Sequence, residues 1–188
     1  MAHSHVLQLD VCGVPQDWVS IEKAASHYAT DSVAWEIGDG PLATLRGGFN
    51  VSRGAQSVIH VHPIIALRGA SKINLFDLTP AYTKAKLLRR DRYTCAYCAG
   101  VFLERDLQAE HIFPACRGGT WTWENLVSAC GHCNLAKRDR TPEEAGMPLV
   151  YLPYAPSLWE DYLLEGRSIR ADVHDFLAAR LPKGSRLI

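Results

Sequence analysis

At 188 residues the chain is long enough for one ordinary domain or two small ones. Its 47% hydrophobic and 21% charged composition excludes a disordered chain, and no apolar run approaches the ~20 residues of a membrane helix. Net charge is zero, yet residues 84 to 140 hold ten Lys+Arg against six Asp+Glu, a basic footprint of the kind phosphate-binding sites need.

In chain order, VLQLDV (Val6–Val11) alternates like a strand, and Gly13-Val14-Pro15 turns it. Ser20 caps a helix over Ile21–Tyr28. VAWEI (Val33–Ile37) is a strand with Leu42–Leu45 as its hairpin partner, closed by Gly47-Gly48. Ser57–His62 and Ile64–Leu67 are further strands. His60 and His62 share a strand face, which admits a metal pair; polarity on a solvated face is the simpler reading. Residues 1–78 therefore read as a small N-terminal α+β unit, ending in a connector, Gly69–Pro80, with one apolar patch (Ile73, Leu75, Phe76, Leu78). The first residues lack the zones of a signal peptide, and His3 and His5 are given no role.

A helix is expected from Thr79-Pro80 to Arg89-Arg90, its basic residues facing solvent or a phosphate backbone. Then come Cys95-x-x-Cys98 and Cys130-x-x-Cys133. Four thiolates in two knuckles suit a closed tetrahedral structural zinc, which stabilises a segment too small for a full core. Without a secretion signal the pairs favour metal over disulfide, and a reducing cytoplasm is the expected compartment. Cys12 and Cys116 are left as ordinary thiols. Between the knuckles, LQAEH (Leu107–His111) reads as a strand, Gly118-Gly119 as a turn, Trp121–Val127 as the returning strand, and Cys130–Lys137 as a helix.

The order Glu110-His111, Gly118-Gly119-Thr120, Trp123-x-Asn125-Leu126-Val127, then Cys130-x-x-Cys133-Asn134-x-x-Lys137 resembles the HNH endonuclease family over about Arg89 to Met147. Asn125 follows His111 by fourteen positions and Asn134 follows Asn125 by nine, as the motif requires. RTPEEAGM (Arg140–Met147) is similar to stand-alone bacterial members related to methyl-specific restriction nucleases; the VLQLDV…PQDWVSIEKA opening is similar, more loosely, to an N-terminal extension of some of them. The resemblance implies a ββα-metal fold over 79–147 that hydrolyses phosphodiesters with a divalent ion. His111 becomes the general base, because imidazole titrates near neutrality. Glu110 and Asn134 become oxygen ligands for Mg²⁺ or Mn²⁺, and Asn125 ties down the loop carrying His111. Neighbours in a strand point to opposite faces, so the resemblance further implies that regular strand ends at 110–111, letting both line one cleft. Many members carry Asp before the histidine; here it is Glu110, one methylene longer.

Arg117, Lys137 and Arg138 are candidate phosphate contacts. Trp121 and Trp123 stack on bases or, as the favoured reading, pack on the zinc ribbon. Residues 148–188 follow as an extended, proline-bearing segment and two helices, one capped by Ser157 and one over Arg170–Leu181, packing on the N-terminal unit or on a second copy. The sequence thus reads as an α+β protein: a zinc-stabilised, metal-dependent HNH endonuclease acting on DNA, with no membrane partner and a possible homodimer. The alternatives are a zinc-dependent nucleic-acid-binding module that has lost cleavage, an RNA-cutting HNH enzyme, and a zinc-scaffolded interaction protein.

Overall fold

The computed structural model describes residues 5–52, 54–69, 79–165 and 168–187. The apolar patch expected at Ile73, Leu75, Phe76 and Leu78 lies outside them. The N-terminal half supplies β1 (His5–Asp10), β2 (Pro15–Ser20), α1 (Ile21–Ala29), β3 (Val33–Ile37), β4 (Ala43–Asn50), β5 (Ala55–Val61) and β6 (Ile64–Leu67). The remainder supplies α2 (Lys84–Arg90), β7 (Leu107–His111), β8 (Leu126–Cys130), α3 (Gly131–Lys137), α4 (Pro142–Ala145), α5 (Leu158–Leu164) and α6 (Ala171–Ala178). The chain is thus α+β, as expected. It divides into two compact units: Met1–Asp77 with Ser168–Ala179, and Leu78–Arg167 with Arg180–Ile188. The expected tail over 148–188 is shared between them, α5 in the second unit and α6 in the first.

In the first unit a four-stranded sheet runs β2-β1-β6-β3, with β1 and β6 parallel and the outer pairs antiparallel. Val6, Val19, Val61 and Ile65 bury against Ala24 of α1, whose N-terminus is capped by Ser20 accepting from the Lys23 amide at 3.3 Å. Two expectations are corrected here. The hairpin partner of β4 is β5, not β3, with Thr44 opposite His60. Gly47 and Gly48 do not end β4; the strand runs through them with a register shift between Arg46 and Phe49. A bulge needs a residue that fits without a side chain, and glycine meets that need inside a strand. His60 bonds Thr44 Oγ1 through Nδ1 at 3.1 Å while His62 faces Glu36 at 3.3 Å, so the two histidines have separate partners. Asp172 of α6 accepts from the Asp39 amide at 3.1 Å, within the same unit.

The second unit is built on the antiparallel pair β7–β8, from Leu107 opposite Cys130 to His111 opposite Leu126. One cluster buries Leu88, Leu107 and Ala129 with Cys95, Cys130 and Cys133; a second joins Leu87, Trp123 and Leu126. The helix expected from Thr79 begins only at Lys84, because Thr83 takes the cap, its hydroxyl accepting from the Lys86 amide at 3.2 Å. Upstream, Pro80 gives its carbonyl to the Trp123 indole N–H at 2.7 Å.

Lys84 of α2 is exposed, as expected, but the other three basic residues of the helix turn to partners within the protein. Arg90 is fully buried. It pairs with buried Asp91 (Nε to Oδ1 2.8 Å) and donates to the carbonyls of Trp123 (2.7 Å), Leu126 (2.8 Å) and Tyr154 (2.9 Å). Asp91 Oδ2 accepts in turn from the Ser128 amide at 2.8 Å. Lys86 pairs with Asp161 at 2.6 Å and Arg89 donates to the Leu164 carbonyl at 2.7 Å. The planar guanidinium fork can satisfy a carboxylate and three carbonyls together, which an ammonium cannot. Removing one member of such a pair strands the other charge, at a cost of about 3–5 kcal/mol. Arg90→Met is therefore expected to lower the urea stability of the zinc-loaded protein by about that much; a loss under ~1 kcal/mol would mean the pair is not a structural hub.

Candidate active site and zinc frame

Each Cys-x-x-Cys forms a knuckle held by backbone bonds. Cys95 N–H donates to Gly100 O at 2.8 Å and Ala99 N–H to Cys95 O at 3.0 Å, and the Ala96 amide reaches across to Ser128 O at 2.8 Å. The second knuckle opens α3, with Cys130 as its N-cap and its sulfur accepting from the Cys133 amide at 3.5 Å. The sulfurs of Cys95, Cys98, Cys130 and Cys133 all lie within 4.8 Å of one another, and all four cysteines are free thiols. Among the described residues they form the sole group of three or more His, Cys, Asp or Glu that could hold an ion.

The Cys95 and Cys133 thiols are pushed in opposite directions. Burial pushes the Cys95 thiol up, but backbone N–H groups of Cys130, Cys98 and Tyr97 outweigh it and bring it down to about 7. Burial, with the neighbouring sulfurs, drives Cys133 strongly upward. The first thiolate forms readily and further ones are resisted until a dication neutralises them. Four thiolates at this spacing suit tetrahedral zinc. Cys12 and Cys116 are exposed and stand apart from this set.

His111 closes β7. Beyond it, the Ile112 amide donates to Asn125 O at 2.9 Å. The Asn125 side chain clamps the loop from both sides: Oδ1 accepts from the Phe113 amide at 2.9 Å, and Nδ2 donates to Phe113 O (3.2 Å) and Thr120 O (2.9 Å). Gly119 is required where it is, since a Cβ there would sit 1.9 Å from Phe113 O.

The strand does not end before the Glu110-His111 pair. β7 stays in register through Glu110 opposite Val127 and His111 opposite Leu126, so the expected bend into one cleft is absent. Glu110 and Gln108, two apart, face α3, and His111 takes the other side. Lys137 ties both residues from the α3 side. It is fully buried, its Nζ 2.7 Å from Glu110 Oε1 and 2.7 Å from His111 O. Lys137 is thus an internal tie, and its expected phosphate contact is corrected: the ammonium is spent within the protein. Asn134, one helical turn earlier, donates Nδ2 to Gln108 Oε1 at 2.6 Å. Glu110 and Asn134 therefore lie on one side of β7, along the face of α3 that also carries Lys137. The carboxylate keeps Oε2 and the amide Oδ1 as hard oxygen donors. That set fits a divalent ion which retains waters and takes phosphate oxygens.

Arg117 and Arg138 are both exposed. Arg117 pairs with Glu144 at 2.6 Å and lies over the Phe113 ring at 5.4 Å. Arg138 caps α3 with a positive φ of 55°. The two tryptophans separate. Trp123 is 3% exposed and packs on the β7–β8 ribbon, against Leu126 and Ala109, with Leu87 of α2, in line with the favoured reading. Trp121 is 62% exposed, edge-on to His111 with centroids 4.5 Å apart and planes at 84°. His111 itself is 9% exposed, and its buried Nε2 has no hydrogen-bond partner among the described residues. Sequence reasoning missed Arg90, Asp91 and Gln108 as parts of this framework. The adjacent opposite charges at Arg90-Asp91 were the available signal for a buried pair.

Cys130→Ser is expected to bring bound zinc, one per chain in the wild type, close to zero in a metal assay, and to broaden the thermal transition of the second unit. A variant that folds as tightly without zinc would show that the sulfurs are not a frame.

No curated protein matches the chain. Among solved structures, the Type II-C Cas9 enzyme from Actinomyces naeslundii is similar at 20% identity, over 55% of this chain and 11% of that one, with a TM-score of 0.30. Residues 95–150, which hold both knuckles, the β7–β8 pair and α3, match the HNH endonuclease family. It is this segment that carries the similarity to the HNH endonuclease family.

Proposed function

We propose that the chain is an endonuclease that hydrolyses phosphodiester bonds in DNA, with His111 as general base and Glu110 and Asn134 holding Mg²⁺ or Mn²⁺. The observation that carries this reading is His111 Nε2. It is an imidazole nitrogen with no hydrogen-bond partner among the described residues, on a strand end clamped by Asn125 from one side and by Lys137 from the other. A fixed imidazole with an unused nitrogen suits removal of a proton from water at neutral pH.

In the proposed reaction Nε2 takes a proton from water, the oxygen attacks phosphorus, and the P–O3′ bond breaks. The products are a 5′-phosphate and a 3′-hydroxyl. A bound divalent ion supplies charge stabilisation for the phosphate and the leaving oxygen. For one phosphate to meet both groups it would lie across the end of β7, with His111 and its water on one side of phosphorus and the ion on the other, as in-line displacement needs; Lys137 keeps Glu110 and the His111 carbonyl in place there. Arg117 and Arg138 are the proposed phosphate contacts, both being exposed. A cytoplasmic location, and a homodimer that would let each copy cut one strand, belong to this proposal.

A second reading has an observation of its own. Glu110 is already neutralised by Lys137, and His111 is covered. Both suit a nucleic-acid-binding module that has lost cleavage. Supercoiled plasmid with Mg²⁺ or Mn²⁺ separates the two. The zinc-loaded wild type is expected to nick or linearise it, and His111→Ala to lower the rate by roughly 10²–10⁴-fold. Intact plasmid across both metals would favour the binding module; cutting of an RNA substrate in preference to DNA would move the substrate assignment to RNA. If His111→Ala cuts as fast as the wild type, the base is another residue.

A further inference from the structure

The nitrogen that the proposed chemistry needs is out of water. His111 is 9% exposed and Nε2 is buried without a hydrogen-bond partner among the described residues. The group standing over the ring is Trp121, at 4.5 Å and 84°. Its own surroundings are thin: it is 62% exposed, and its other ring contact is Tyr82 at 5.8 Å. Two residues on, Trp123 shows what a structural tryptophan looks like here, 3% exposed with its indole N–H bonded to Pro80 O at 2.7 Å. Trp121 is therefore held at His111 by an edge contact and not by burial in the core.

The backbone on either side of Trp121 is fixed. Asn125 Nδ2 holds Thr120 O at 2.9 Å, and the Asn125 amide donates to Thr122 O at 3.1 Å. Motion that uncovers His111 is thus rotation of the Trp121 side chain, without opening the loop.

We propose that Trp121 is the nucleobase-stacking residue of this site, and that its departure from His111 onto a base beside the scissile phosphate uncovers Nε2. The proposal rests on the reading of His111 as the general base. An indole offers a large π-face to any base, so the stack is tolerant of sequence. Leaving an imidazole nitrogen buried and unpaired is unfavourable, and release to water or substrate relieves it. A ligand that stacks on the outward rotamer shifts the population toward it. Because the backbone carrying Trp121 stays beside His111 when the side chain turns, a base stacked on the displaced indole lies near the phosphate that His111 serves. Substrate binding and exposure of the base become one event.

The test uses full-length zinc-loaded protein at fixed pH without added Mg²⁺, so that nothing is cut. Carbethoxylation of His111 by diethylpyrocarbonate, read by peptide mass spectrometry, is expected to be slow in the wild type and in Trp121→Phe. In Trp121→Ala it is expected to be about tenfold faster. A short single-stranded DNA oligonucleotide is expected to quench tryptophan fluorescence in the wild type but not in Trp121→Phe, and to bind Trp121→Ala about tenfold more weakly, the loss of one stacked base. Equal modification rates in wild type and Trp121→Ala would overturn the cover. Quenching that persists in Trp121→Phe, with unchanged affinity in Trp121→Ala, would overturn the stack. Neither readout depends on cleavage. An inactive wild type in the plasmid assay that still shows both effects would sink the nuclease reading and not the role of Trp121. The phenylalanine fluorescence arm stands even if the alanine variant folds poorly.

Discussion

The buried pair Arg90–Asp91 is the constraint on which the second unit depends. Both side chains are wholly removed from water. A charge there is tolerable only if every donor and acceptor is met. The partners that meet them come from three separate stretches: the Trp123 turn and the start of β8, Ser128 within β8, and Tyr154 in the later chain. Those stretches bracket Asn125, and Asn125 in turn clamps the loop after His111. The position of the candidate base thus descends from a buried ion pair at the end of α2.

A second buried cation links the zinc frame to the site. Cys130 caps α3, and Cys133 lies one turn in. Counting from that knuckle, Asn134 and Lys137 are three apart and share a helix face. The knuckle therefore phases the helix, placing Asn134 at Gln108 and Lys137 at Glu110 and the His111 carbonyl. An ion that fixed the four sulfurs would fix the candidate chemistry through seven residues of helix. The two metal roles are distinct in chemistry, soft thiolates against hard oxygens, but mechanically they form one assembly.

The legible parts of the fold were those set by local rules. β3, β6 and β7 have the bounds their alternation suggested, and the Ser20 and Ser157 caps start α1 and α5 as expected. β2 went unread, since Pro15 looked like a turn and not a strand start. The partner of β4 could not be read either, because pairing is a long-range choice that the alternation of a single strand does not encode. Basic residues misled most. Arg90 and Lys137 look like surface cations in a positive segment, yet both are fully buried. Their pairing with Asp91 and Glu110 turns part of the apparent basic footprint inward, leaving Arg117 and Arg138 among the exposed cations near the site.

The sequence by itself determined the chemistry available: four sulfurs in two knuckles, a histidine beside a carboxylate, and asparagines at the spacing of the motif. Residue type and short-range spacing suffice for that, because knuckles, caps and helix phase are local. Tertiary structure decided how the pieces are used. It kept β7 straight through His111, so Glu110 and His111 face opposite sides. It made Lys137 a brace, and it laid an exposed tryptophan over a buried imidazole. Each outcome depends on which distant group meets a buried charge or ring, a competition settled by desolvation and packing among segments far apart in the chain.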